Sequence, residues 1–325
     1  MIFGIEIKEV VGAIMQVGLA ISGGGAFFGL CFLYLSKRRP SLKREYLDLA
    51  GKLRILVFAG SGLFALAFLA LYFYPKAILF AHEGIAVSRT INIITDGLSL
   101  TTLAAFIFIA LNLYFIFIKK AGRLSLAAHY SATFFLVAFI MSFNNFVGWN
   151  GEQIFVGLHG IHSIWTIGAA TVVDVLYLKT LTSPDSYQRS LYLFFPTITK
   201  FIWFGLLLDG ISSVGIYMRH IHLDDRFFFM QTAYAILIIN AVFLTRKIGD
   251  ELTEEAKKGR EVHPRLSLKA MILGSISIVS WYTITLTDFF EGLTLSYPTL
   301  LGIYFSVIAI AVIFGYFFEA KAEME

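Results

Sequence analysis

Residues 153–178 read QIFVGLHGIHSIWTIGAATVVDVLYL, an apolar run interrupted by three ionisable side chains, His159, His162 and Asp174. As one helix rising about 1.5 Å per residue it reaches about 39 Å, enough to cross a hydrocarbon core of about 30 Å. Eight further runs of this kind lie near 10–36, 55–75, 92–118, 125–148, 195–218, 227–245, 267–287 and 297–318. Charged residues make up 15% of the 325 residues against 58% hydrophobic, too little polar surface to cover a soluble globule. The sequence predicts an all-α fold, a polytopic membrane helical bundle of nine transmembrane helices.

Basic residues fall unevenly around these spans. The segments after spans one, three, five and seven hold Lys37, Arg38, Arg39, Lys119, Lys120, Arg123, Lys179, Arg246 and Lys247 among others, whereas the opposite side has only Lys8, Lys76, Arg89, Arg219 and Arg226. The positive-inside rule then predicts an outer N-terminus and a cytoplasmic C-terminus in a prokaryotic-type plasma membrane. The formal net charge of +4 reports topology and contact with the lipid bilayer, and implies no nucleic-acid partner. The first span is too long for a signal-peptide core and no small-residue cleavage pattern follows, so it reads as an uncleaved helix. Cys31 is the single cysteine, which excludes an intrachain disulfide and a cysteine metal cage and leaves packing as its role.

A four-helix unit recurs in order along the chain. Leu33-Tyr34-Leu35 at the end of span one returns as Leu176-Tyr177-Leu178 at the end of span five, and Arg123-Leu124-Ser125-Leu126 returns as Arg265-Leu266-Ser267-Leu268. Gly25 falls on Gly168, Gly62 on Gly205, and Asn112 corresponds to Asn240, with a charged loop inserted between Gly249 and His263. Each unit has an even number of spans, so the copies are expected in parallel orientation. The expected organisation is a first repeat over 1–150, a second over 151–290 that carries the histidine site, and an added helix and tail over 291–325.

Ionisable groups in spanning segments are rare and mark function. His159 and His162 stand three residues apart, on one face of span five in its outer half, whereas the equivalent first-half positions are Gln16 and Leu19. His82, His220 and His222 are expected in outer loops, and Asp209 of span six near the midplane, where a carboxylate needs a partner or a proton. Asp96, Asp288 and Glu291 complete an outward-facing acidic set. Towards the cytoplasm, Asp174 can pair with Lys200, and at the outer end of span four Asn144 and Asn145 read as interhelical hydrogen-bonding groups or interfacial residues.

This constellation suits several chemistries. A b-type haem would take His159 or His162 and a second imidazole from His82, His220 or His222. Copper is an alternative, since Met218 beside His220 and His222 joins a thioether to imidazoles, with Met15, Met141 and Met230 also in outer halves. A proton relay through Asp209 and a histidine would suit a proton-coupled transporter. No span is clearly interrupted, although Pro196 is a candidate bend near the inner start of span six, and Ser22-Gly23-Gly24-Gly25 reads as close packing or a hinge, since the lysine of a phosphate loop is absent. No hydrolase signature is present.

Around Leu158-His159, Trp165, Gly168-Ala169-Ala170-Thr171 and Asp174-Val175-Leu176-Tyr177-Leu178-Lys179 the chain resembles a superfamily of small membrane bundles. It includes copper-resistance D proteins and the membrane protoporphyrinogen oxidase associated with haem b. Ser280-Trp281-Tyr282 resembles the last helix of such units, and the likeness covers about residues 155–290. Trp165 sits one residue early, and His162 is not part of the pattern. The resemblance implies haem or copper handling with His159 as the matching position. The expected function is haem-b-dependent electron transfer near the outer face, as a redox subunit with a partner protein or quinone. The alternatives are a copper or proton-coupled transporter and a non-catalytic anchor for a redox partner.

Overall fold

The structure is a computed structural model that describes residues 6–83, 100–118, 122–143, 151–182, 188–220, 223–259, 262–290 and 292–322, and they are helical with no strand among them. The helices are α1 (Ile7–Arg38), α2 (Lys43–Glu83), α3 (Leu100–Phe117), α4 (Arg123–Phe143), α5 (Gly151–Trp165), α6 (Ile167–Thr182), α7 (Gln188–His220), α8 (Asp225–Phe243), α9 (Gly249–Lys258), α10 (Pro264–Phe289) and α11 (Tyr297–Ala322). Nine segments among the described residues are long and apolar enough to span a membrane, α5 and α6 forming one and α8 and α9 another. Successive spans alternate in direction. One end of the bundle, here the N-terminal face, holds the starts of α1, α3, α5, α8 and α11, and the other holds the basic connections.

Two spans form the inner layer. In α1, 72% of the apolar window is buried, and in α5–α6 61%, whereas α11 buries only 17% and faces outward. The reason is visible in the small residues of α1. A methyl group on Gly24 would stand 2.5 Å from the Cα of Gly168, and one on Gly168 would stand 2.4 Å from the Ala20 carbonyl oxygen. Only glycine lets α1 and α6 approach this closely. The Ser22-Gly23-Gly24-Gly25 stretch is therefore a packing surface inside a continuous helix, and Ser22 closes it by donating to the Val57 carbonyl at 3.0 Å. Around this axis lie apolar clusters at both ends, each built from residues of 1–150 and of 151–290 together. Cys31 packs at the edge of the cluster nearer the basic face.

Two helical irregularities depart from the expected uninterrupted spans. Span five breaks at Thr166, whose hydroxyl donates to the His162 carbonyl at 3.1 Å. Span seven leaves α8 through a π turn at Leu244–Ile248 and continues as α9. The segment expected as a charged loop after Gly249 is thus a helix up to Lys258, ended by Gly259 in the left-handed region (φ 67°). Leu252 and Ala256 of α9 are buried in a third cluster with Tyr192 and Phe195, which explains why the charged stretch holds helical form.

Candidate metal centre

The histidines meet two carboxylates from two other helices. His159 and His162 lie on one face of α5, with ring centroids 4.8 Å apart. Asp209 comes from the middle of α7 and Asp288 from the last turn of α10. Nδ1 of His159 lies 3.2 Å from Oδ1 of Asp209, and its Nε2 lies 3.2 Å from Oδ2 of Asp288. Nε2 of His162 lies 3.3 Å from the same Oδ1 of Asp209. His159, His162 and Asp209 each present a ligand atom, all within 4.8 Å of one another.

Surrounding groups fix each ring and carboxylate. Nδ1 of His162 is hydrogen-bonded to the carbonyl oxygen of His159. A carbonyl only accepts, so this nitrogen carries the proton and Nε2 of the neutral ring is left with a lone pair. The Tyr234 hydroxyl of α8 donates to Oδ2 of Asp209, and the Ser213 hydroxyl donates to Oδ1 at 3.5 Å. Ser212 donates to the Asp209 carbonyl at 2.9 Å and stands 3.3 Å from Nδ1 of His159. Arg226 donates to the main-chain carbonyl of Asp288 at 3.1 Å. From α1, Gln16 donates to the Gly160 carbonyl and to Ser163, both at 3.3 Å, holding α5 against the inner layer.

Burial makes this arrangement consequential. Asp209 is 2% exposed and His162 8%, and among the described residues no lysine or arginine pairs with Asp209. A carboxylate removed from water and surrounded by apolar helices requires a positive charge beside it. With a lone pair on Nε2 of His162, two acceptors lie 3.3 Å apart, that nitrogen and Oδ1 of Asp209. A cation between them resolves the conflict, either a proton or a metal ion.

The other sequence-level candidates are distributed as follows. Asp174 and Lys200 do not pair, because Lys200 is exposed on α7 while Asp174 lies against Gly274 of α10. His82, Met218 and His220 close α2 and α8's predecessor α7, and their side chains lie outside the described residues, as do Asp96, Asn144, Asn145, His222 and Glu291. His129 is engaged elsewhere, stacked on Phe115 and bonded through Nε2 to Asn112 at 3.0 Å. Sequence reasoning missed Tyr234, Ser212 and Ser213 and did not link Asp288 to His159. The polar residues at 209, 212 and 213 share one stretch of α7, a helical spacing that could have drawn attention to the serines.

Two cavities flank the cluster. A cavity of about 420 Å³ includes Met15, Gln16, His162 and Asp288 in its wall, and one of about 620 Å³ lies between α7 and α8 against His159 and Asp209. No protein-family model, curated protein or solved structure matches the chain.

Proposed function

We propose that this chain is an integral membrane metal-binding protein that holds one divalent first-row transition-metal ion on Nδ1 of His159, Nε2 of His162 and Oδ1 of Asp209. The observation that carries this reading is the convergence of those three atoms, each with its remaining polar atom already satisfied. Nε2–H of His159 donates to Asp288, Nδ1–H of His162 donates to a backbone carbonyl, and Oδ2 of Asp209 accepts from Tyr234. Metal-binding histidines are ordinarily oriented by such bonds from the other ring nitrogen. A tetrahedral site with bonds of about 2.0–2.1 Å sets donor atoms about 3.3–3.4 Å apart; the two nitrogen–Oδ1 edges here are 3.2 and 3.3 Å, with all three donor atoms within 4.8 Å of one another. The fourth position is left for water or a substrate.

The described pair alone favours an ion over haem as the resident group. Two imidazoles projecting from one face of one helix do not take opposite sides of a porphyrin, and the second ligands expected for haem, His82, His220 or His222, have side chains outside the described residues. The donors are nitrogen and oxygen, which suits a divalent ion of the Fe, Zn or Cu(II) kind better than Cu(I). Combined with the positive-inside rule, the reading places this centre in the outer half of the membrane.

Purified protein reconstituted in lipid and loaded with Co²⁺ or Zn²⁺ should retain about one ion per chain after desalting. His159→Ala, His162→Ala and Asp209→Asn should each lose it while remaining folded by circular dichroism. Full retention in the three variants would place the ion elsewhere, and a Soret band in the protein as isolated would return haem to first place.

A further inference from the structure

The cavity between α7 and α8 has features that the metal centre does not account for. These helices follow one another in the chain, yet they pack mainly on other partners, α7 on α5, α6 and α9, α8 on α10 and α11. The space of about 620 Å³ left between them falls within the size range of small-molecule sites. Its rim includes Leu207 and Val214, 60% and 59% exposed on a surface that faces the hydrocarbon. The mouth therefore opens sideways to lipid.

The wall is apolar and aromatic, with Trp203, Phe227 and Met230, except for one patch where His159, Asp209, Ser213 and Tyr234 converge. Gln231 adds an amide that has no hydrogen-bond partner among the described residues. Among the described residues no lysine or arginine lines the space, and Asp209 is on its wall, so a phosphate headgroup would meet repulsion there. An uncharged flat ring bearing hydroxyl or carbonyl groups meets both demands. Its faces suit Trp203 and Phe227, and its oxygens reach groups that both donate and accept.

We propose that this cavity binds a membrane-soluble quinone or quinol, entering from the bilayer with its ring oxygens towards Gln231 and Tyr234 and its tail along Leu207 and Val214. Binding depends on the cavity and not on occupancy of the ion site, so the two readings fail separately. Gly210 provides the test, because it lines the cavity and a methyl group there meets nothing within 4 Å.

The experiment titrates decyl-ubiquinone and menadione into protein reconstituted in quinone-free nanodiscs and follows quenching of tryptophan fluorescence. Saturable quenching is expected, reduced most by Trp203→Phe. Gly210→Phe and Val214→Phe should each raise the apparent Kd at least tenfold while the ion content stays unchanged. His162→Ala, whose side chain does not line the cavity, should lose the ion and keep the quenching. Linear, unsaturable quenching, or equal affinity in both cavity-filling variants, overturns the proposal. So does a co-purifying phospholipid or glyceride, seen by native mass spectrometry, that saturating decyl-ubiquinone fails to displace.

Discussion

At the scale of single residues, the centre turns on which nitrogen of each ring is committed to the protein. His162 is committed through Nδ1 to the His159 carbonyl, and His159 through Nε2 to Asp288. In the proposed centre Asp288 acts through His159, without touching the ion. Asp288→Asn and Tyr234→Phe should each weaken ion affinity by about 10–100-fold, measured by competition with a chromophoric chelator, with the stoichiometry kept. Loss of stoichiometry in Asp288→Asn would make it a direct ligand, and unchanged affinity in both would remove the orienting role. Part of this was readable from the chain: a histidine pair in an apolar run and a lone carboxylate at 209 announce a site by their cost. The partnership of His159 with Asp288 was not, because 129 positions separate them and only the rotation of α10 about its axis brings the carboxylate inward. Tyr234 was hidden for a different reason, being one of 15 tyrosines in an aromatic-rich chain.

At the scale of elements, the close crossing of α1 and α6 sets the position of the histidine helix. Gly168 lies six residues after His162 on the same span, and its contact with Gly24 holds that span against the central helix. Gly168→Val should destabilise the protein by about 1–3 kcal/mol, as overpacking in tight interiors does, and lower the thermal midpoint in detergent. Gly62→Val is the matched control, since a side chain there meets nothing within 4 Å. Equal midpoints for the two would show that the crossing is not tight. Hydropathy located the spans well because transfer from water to hydrocarbon depends on composition averaged over about 20 residues. It was blind to the irregularity at Thr166 and to the π turn at Leu244–Ile248, which shifts backbone hydrogen bonds by about one residue, because both leave composition unchanged.

At the scale of the molecule, the basic connections all gather at one face of the bundle and the centre lies in the other half. The orientation this implies is open to measurement in a chain with a single native cysteine. With Cys31 replaced by alanine, a membrane-impermeant thiol reagent added to intact cells should label Ser296→Cys, at the N-terminal face, and leave Lys258→Cys unlabelled until the membrane is opened. The reverse pattern would put the centre on the cytoplasmic side. Residues of both proposed repeats share the apolar clusters, and the spans matched between the repeats, one and five, are the two that form the inner layer. The second copy alone carries the histidines, where the first has Gln16 and Leu19. Gln16 nevertheless reaches the site, bonding Gly160 and Ser163 beside it.

X-ray absorption at the edge of the bound metal examines the proposed centre most directly. The spectrum of the loaded protein should show only nitrogen and oxygen neighbours at about 2.0–2.2 Å, with the outer-shell scattering of two imidazoles, reduced to one in His162→Ala. A sulfur shell near about 2.3 Å, or imidazole scattering unchanged in that variant, would contradict a centre built from His159, His162 and Asp209.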